Sequence, residues 1–170
     1  MVIIAAYFMN RPFVPWQAFS TFFFTSVLIV VFVYDLKYML VLTNLAWLAA
    51  AVGAIVNYFF LGFTIQSLLL GLIIGMGFFL LQFIVSKGAW IGGGDIRLGA
   101  MIGLWLGFPN VILALFLSYI LGATVAIPLL ASKKKGMNSA VPFGTFLAVG
   151  TFITLLWGNQ IVNWYLGLLR

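Results

Sequence analysis

Long apolar runs separated by short polar breaks repeat along the whole chain. After the opening stretch MVIIAAYFMN and a turn from Arg11 to Pro15, the run WQAFSTFFFTSVLIVVFVYD leads to Asp35. Further runs cover 43–60, 65–85, roughly 96–108, 110–130, and 143 to about 158 with a tail. A hydrocarbon core of about 30 Å takes about 20 helical residues, and lipid offers no partner to open backbone amides, so the runs predict membrane helices. Pro12, Pro15, Pro109 and Pro142 stand at or near the breaks, where a helix cannot continue. The first ten residues are too short to span, and they carry neither a basic n-region nor a small-residue cleavage site. They are expected to be the remainder of an element begun upstream, not a secretory signal. The segment after Asp95 reaches only about 20 Å at ~1.5 Å per residue, so it is expected to tuck among its neighbours. The expected fold is an all-α polytopic membrane protein, one membrane-embedded domain over 1–170, with about six transmembrane helices plus the short N-terminal hydrophobic segment.

Threading these helices through a bilayer brings Lys37, Lys87, Arg97, Lys133, Lys134 and Lys135 to one side and leaves Arg11 and Arg170 on the other. The positive-inside bias makes the first side cytoplasmic. The same threading brings Asp35 and Asp95 to that cytoplasmic boundary, although neither entered the count. The net charge of +6 is scattered between apolar runs and forms no stripe that could track phosphates, so the partner it implies is the lipid bilayer and not nucleic acid. Nothing in the residues sets an oligomeric state.

Composition then narrows the chemistry. The chain is 65% hydrophobic and 6% charged, with no His and no Cys. Thiol nucleophiles, Ser-His triads, disulfides and zinc held by His or Cys are excluded. Asp35 and Asp95 are the two acidic residues of the protein, and no metal or cofactor is expected. Steps of four from Asp95 give Gly99, Gly103 and Gly107, a small-residue stripe whose expected role is close helix packing. Gly71 and Gly75 form a similar, purely structural motif. Gly92, Gly93 and Gly94 stand just before the helix and are costly in entropy; they suit positive φ or the approach of another backbone, such as a substrate strand.

A plainer account of the acids is charge pairing, Asp35 with Arg97 or Lys37 and Asp95 with Lys87, which anchors helix ends without chemistry. From spacing alone both accounts stay open. Ser86 and Lys87 point apart on a helix and do not read as a Ser-Lys dyad, and the Lys133 to Lys135 run reads as a loop facing lipid headgroups.

The stretches YDLKYMLVLTN (34–44), GGGDIRLGAMIGLWLGF (92–108), VPFGTFLAVG (141–150) and LLWGNQIVNWYLGLL (155–169), in this order, resemble the core of the type IV prepilin peptidases. The resemblance implies a GxGD-type aspartic protease with Asp35 and Asp95 as catalytic pair. Gly92, Gly93, Gly94, Lys37 and Arg97 are its candidate substrate-binding residues. It implies cleavage of prepilins and pseudopilins after a glycine, at the cytoplasmic face of the bacterial inner membrane, in pilus and type II secretion systems. Where the family commonly has a proline in the turn after the first motif, this chain has Val41, Leu42, Thr43 and Asn44. Larger members carry an additional N-terminal helix and a loop with two C-x-x-C pairs, and many methylate the new amino terminus. Those features are absent from these residues, so the chain reads as the peptidase core and methyl transfer is not expected of it.

Two carboxyls brought together share a proton, one acting as base and the other as acid. Helix polarity favours the anion at Asp95, which opens a helix, and the neutral acid at Asp35, which closes one. That makes Asp95 the base. Other readings remain: a preflagellin- or signal-peptide-peptidase-like intramembrane protease, a small proton or cation transporter using both acids, or a noncatalytic assembly factor.

Overall fold

The computed structural model describes residues 15–131 and 142–168, and their regular structure is entirely helical. In chain order the helices are α1 (Pro15–Tyr38), α2 (Thr43–Phe59), α3 (Ile65–Ser86), α4 (Gly93–Leu106), α5 (Asn110–Ala131) and α6 (Phe143–Leu168). Four of these six are long and apolar enough to cross a bilayer: α1, α3, α5 over Asn110–Pro128, and α6. About six crossings were expected; the described residues hold six helices, of which these four reach that length. With 17 residues, α2 reaches about 25 Å, and α4, with 14, about 21 Å, both short of the hydrocarbon core. The opening hydrophobic segment and the Lys133 to Lys135 run lie outside the described residues.

The short α4 is the centre of the protein. Eight of its residues are buried, Leu98 to Gly103 together with Trp105 and Leu106, as expected of a helix enclosed on all sides. Its contact with α3 is made through main chain. A Cβ on Gly75 or Gly71 would run into the carbonyl oxygen of Gly99 or Gly103, and a Cβ on Gly99 or Gly103 would meet the carbonyl of its partner in turn. The two stripes read from the sequence thus pack on each other, the close approach that small residues at spacing four permit. Gly107 extends the line but serves a different end: at φ +63° it closes α4 in a conformation that side chains resist.

On its other side α4 meets α1 and α2 through Trp105. The indole stacks on Phe24 at 4.3 Å between ring centroids, its Nε1–H donates to the Ala49 carbonyl at 2.6 Å, and Gly53 leaves it room. Asn57 donates to the carbonyls of both Leu104 and Trp105 at 2.8 Å, supplying partners to the end of α4 that its own turns cannot. α5 packs on α6 and α6 on α1, which brings the end of α1, the start of α4 and the start of α6 to one cavity.

Candidate active site

Asp35 lies in the last turn of α1 and is only 6% exposed. Its Oδ2 accepts the backbone N–H of Thr145 at 2.7 Å and the Thr145 hydroxyl at 3.2 Å. Thr145 is the third residue of α6, so its N–H is one of the first-turn donors that a helix leaves unpaired. Asp35 therefore caps α6 from another helix. The approach depends on Gly144, since a Cβ there would stand 2.9 Å from the Asp35 Cγ and Oδ2.

Asp95 occupies the third position of α4, after Gly92 at the cap with extended backbone, φ −75° and ψ 153°. The Asp95 N–H bonds the Gly92 carbonyl at 3.1 Å, and its carboxyl is in turn supported by the Gly92 backbone amide. The carboxyl-to-amide contact is one half of a capping box, the half that the third residue supplies, since Gly92 has no side chain to return it. Asp95 stands outside the four membrane-spanning helices. Burial first, and the neighbouring Asp35 second, push its carboxyl up to about 6, with the Gly92 amide opposing.

Both aspartates line one cavity of about 1150 Å³. Gly92, Gly93, Gly94 and Arg97 line it too, and Lys37 does not. Two residues beyond Asp35 on the same helix, Lys37 points elsewhere and holds its ammonium 5.2 Å from the Tyr38 ring centroid. Arg97 is half-buried and donates from Nη1 to Thr43 Oγ1 at 2.7 Å, tying α4 to the start of α2. Arg97 and Lys37, offered as partners of Asp35, are thus engaged with other groups. Ser86 Oγ accepts the Trp90 N–H at 3.3 Å, and Lys87 closes α3 in the left-handed region, φ 51°.

The three glycines divide in their roles. None of them has the positive φ expected of such a run: the described glycines with positive φ are Gly62, Gly88 and Gly107. Gly94 is a close approach, because a Cβ there would stand 2.7 Å from the Val41 side chain. The segment between α1 and α2 settles on that space, with Val41 and Thr43 both in use where the family commonly has its proline. Gly93 has nothing within 4 Å of an added Cβ, and it and Gly92 are exposed. Room for a visiting backbone exists there.

Gly144, Thr145, Gln82 and Tyr119 were not among the candidate residues. Gln82 and Tyr119 also line the cavity, where the Tyr119 hydroxyl donates to Gln82 Oε1 at 2.8 Å. A signal existed for Gln82, an amide inside the apolar run 65–85 and well away from its polar start. The Gly144–Thr145 contact with Asp35 joins positions 110 residues apart, and no local period announces it.

Comparison with known proteins identifies a family. The type IV leader peptidase family profile matches residues 22–127, a stretch that contains both aspartates. A prepilin leader peptidase/N-methyltransferase from Stutzerimonas stutzeri is 30% identical over 160 residues, covering 91% of this chain and 55% of the relative. One of the same name from Pseudomonas aeruginosa is 31% identical over 156 residues, 89% of this chain and 53% of the relative. That from Legionella pneumophila is 39% identical over 77 residues, 45% of this chain and 27% of the relative. This chain thus spans about half the length of the first two. No solved structure matches it. With the family profile covering more than half of its residues, including both acids, the chain belongs to the type IV leader peptidase family.

Proposed function

We propose that this chain is a membrane aspartic endopeptidase of the GxGD type. It removes the leader peptide of type IV prepilins or pseudopilins at the cytoplasmic face of the bacterial inner membrane. The observation that carries the reading is that the two acidic residues of the chain line one cavity, with open backbone at Gly93 beside them. The names of the relatives supply the substrate class, and of the two activities in those names the paired carboxyls account for the first.

In this reading the dyad holds one proton. Helix polarity alone assigns the base to Asp95, an effect of about 0.3–1 kcal/mol. Hydrogen bonds to a charged group are worth roughly 1.5–3 kcal/mol each, and Asp35 accepts two from Thr145 while Asp95 relies on one backbone amide. The larger effect reverses the assignment: Asp35 rests as the anion and Asp95 holds the proton. Asp35 then takes a proton from water as that water attacks the scissile carbonyl, and Asp95 donates a hydrogen bond to the carbonyl oxygen as it becomes tetrahedral. Collapse of the intermediate breaks the C–N bond, and the proton gained by Asp35 passes to the leaving amine. Fixed at the start of a buried helix, Asp95 needs no reorganisation during these steps.

Two expected results follow. The protein in detergent cleaves a peptide with a short basic leader, a glycine before the cleavage point and an apolar helix after it, and mass spectrometry finds the cut directly after that glycine. Intact peptide after prolonged incubation in suitable lipid rejects the proposal. The pH dependence has a defined sign. Asp95 loses its proton as the pH rises through about 6, so kcat/KM falls on the alkaline side of that value. Because the two groups titrate as a pair, the limb belongs to the dyad. A kcat/KM that climbs steadily between pH 5 and pH 8 contradicts an acid role for Asp95.

A further inference from the structure

Gln82 on α3 and Tyr119 on α5 face the cavity but take no part in the proton chemistry described above. An amide and a phenol in apolar helices are costly to keep unless they have partners. They partner each other only in part. The Tyr119 hydroxyl donates to Gln82 Oε1 at 2.8 Å, which uses the phenol's proton and leaves its oxygen able to accept. Gln82 Nε2 carries two hydrogens, one of which goes to the Phe78 carbonyl at 3.4 Å, the long limit of a hydrogen bond. Packing holds the phenol in place: its ring centroid lies 5.5 Å from that of Phe78 and 4.9 Å from that of Phe143. The cavity is thus presented with a donor and an acceptor on two linked, restrained side chains.

That pairing, a donor beside an acceptor, matches one edge of an extended peptide, which offers a carbonyl oxygen and an N–H. It matches a lone anion or cation poorly, because neither side chain is charged. We infer that Gln82 and Tyr119 form a subsite that binds the backbone of an extended polypeptide segment in the cavity, Gln82 donating to a carbonyl and Tyr119 accepting from an N–H. The inference rests on the peptidase reading, to which it adds the part of the substrate that is held: main chain, independent of side-chain identity. The open backbone at Gly93 provides clearance for the same segment.

The test measures binding, so that it stands apart from catalysis. A chain carrying both Asp35→Asn and Asp95→Asn is mixed with a fluorescein-labelled prepilin-like peptide, and anisotropy gives Kd. Tyr119→Phe and Gln82→Leu, added singly to that background, are each expected to weaken binding about tenfold, the worth of one hydrogen bond. A peptide series N-methylated at successive positions around the cleavage point identifies the contacted N–H. At that position the Tyr119→Phe and N-methyl losses do not add, whereas a helix-packing role leaves them additive at every position. Unchanged Kd in both variants, additive losses throughout the series, or no binding of the peptide by the parent background overturns the inference. Failure of the unsubstituted chain to cleave a peptide that still binds in this manner rejects the peptidase reading and leaves the subsite standing.

Discussion

Asp35→Asn is expected to slow cleavage of a prepilin-like peptide by roughly 10⁴-fold, and Asp95→Asn by closer to 10²-fold, within the range set by loss of general acid or base catalysis. The two losses differ because asparagine replaces the two roles unequally. At position 35 the new amide oxygen still accepts the Thr145 N–H, so the cap on α6 is kept, but the amide takes no proton from water. At position 95 the amide NH₂ still donates a hydrogen bond to the scissile carbonyl, and what is lost is the exchangeable proton and its tuning. In Asp95→Asn the alkaline limb near pH 6 also disappears, since the amide keeps its hydrogens at every pH. Thermal unfolding in detergent should move little for either variant. The reverse order of losses restores the assignment that helix polarity suggests, and full activity in either variant removes that aspartate from the chemistry.

Gly144→Ala is the second large effect. The position carries no backbone requirement for glycine, as its φ is not among the positive ones. The added methyl would nonetheless stand 2.9 Å from the Asp35 Cγ and Oδ2, inside van der Waals contact. Both groups are buried, and the carboxyl is the end with freedom to move, so it is expected to turn away from Thr145. A misplacement of about 1 Å at a reacting group costs on the order of 10²-fold in rate. The expected result is that loss in kcat/KM with the protein still folded and still able to bind peptide. Parental kcat/KM in Gly144→Ala contradicts the placement of Asp35 against the start of α6.

Much of this was legible in the residues because lipid restricts what an apolar run can become. The segments read as helices match those observed to within a few residues, except the last, whose tail continues the helix from about 158 to Leu168, and the Gly99–Gly103 and Gly71–Gly75 stripes announce close packing without naming their partners. The number of crossings was not legible to the same degree. The runs at 43–60 and 96–108 are apolar enough to pass for spans, and the enclosure of α4 by its neighbours is a property of the fold that no single run displays. Asp35 and Asp95 stood out by elimination, there being no other acid to choose. The proposed division into base and acid did not, because the dipole argument considers Asp35 on its own helix while its Thr145 donors come from α6. Gly92 to Gly94 show the same limit at smaller scale: glycine announced a need for space, and only the fold revealed that Val41 takes part of it.

The crossing of α3 and α4 has a mechanical consequence. Main-chain atoms touching main-chain atoms have no rotamers to exchange, so these helices form a strut that bears load without yielding, and Asp95 rides on its tip. Asp35 belongs to the opposite wall, where α1 is fastened to α6 at the Thr145 hydrogen bonds.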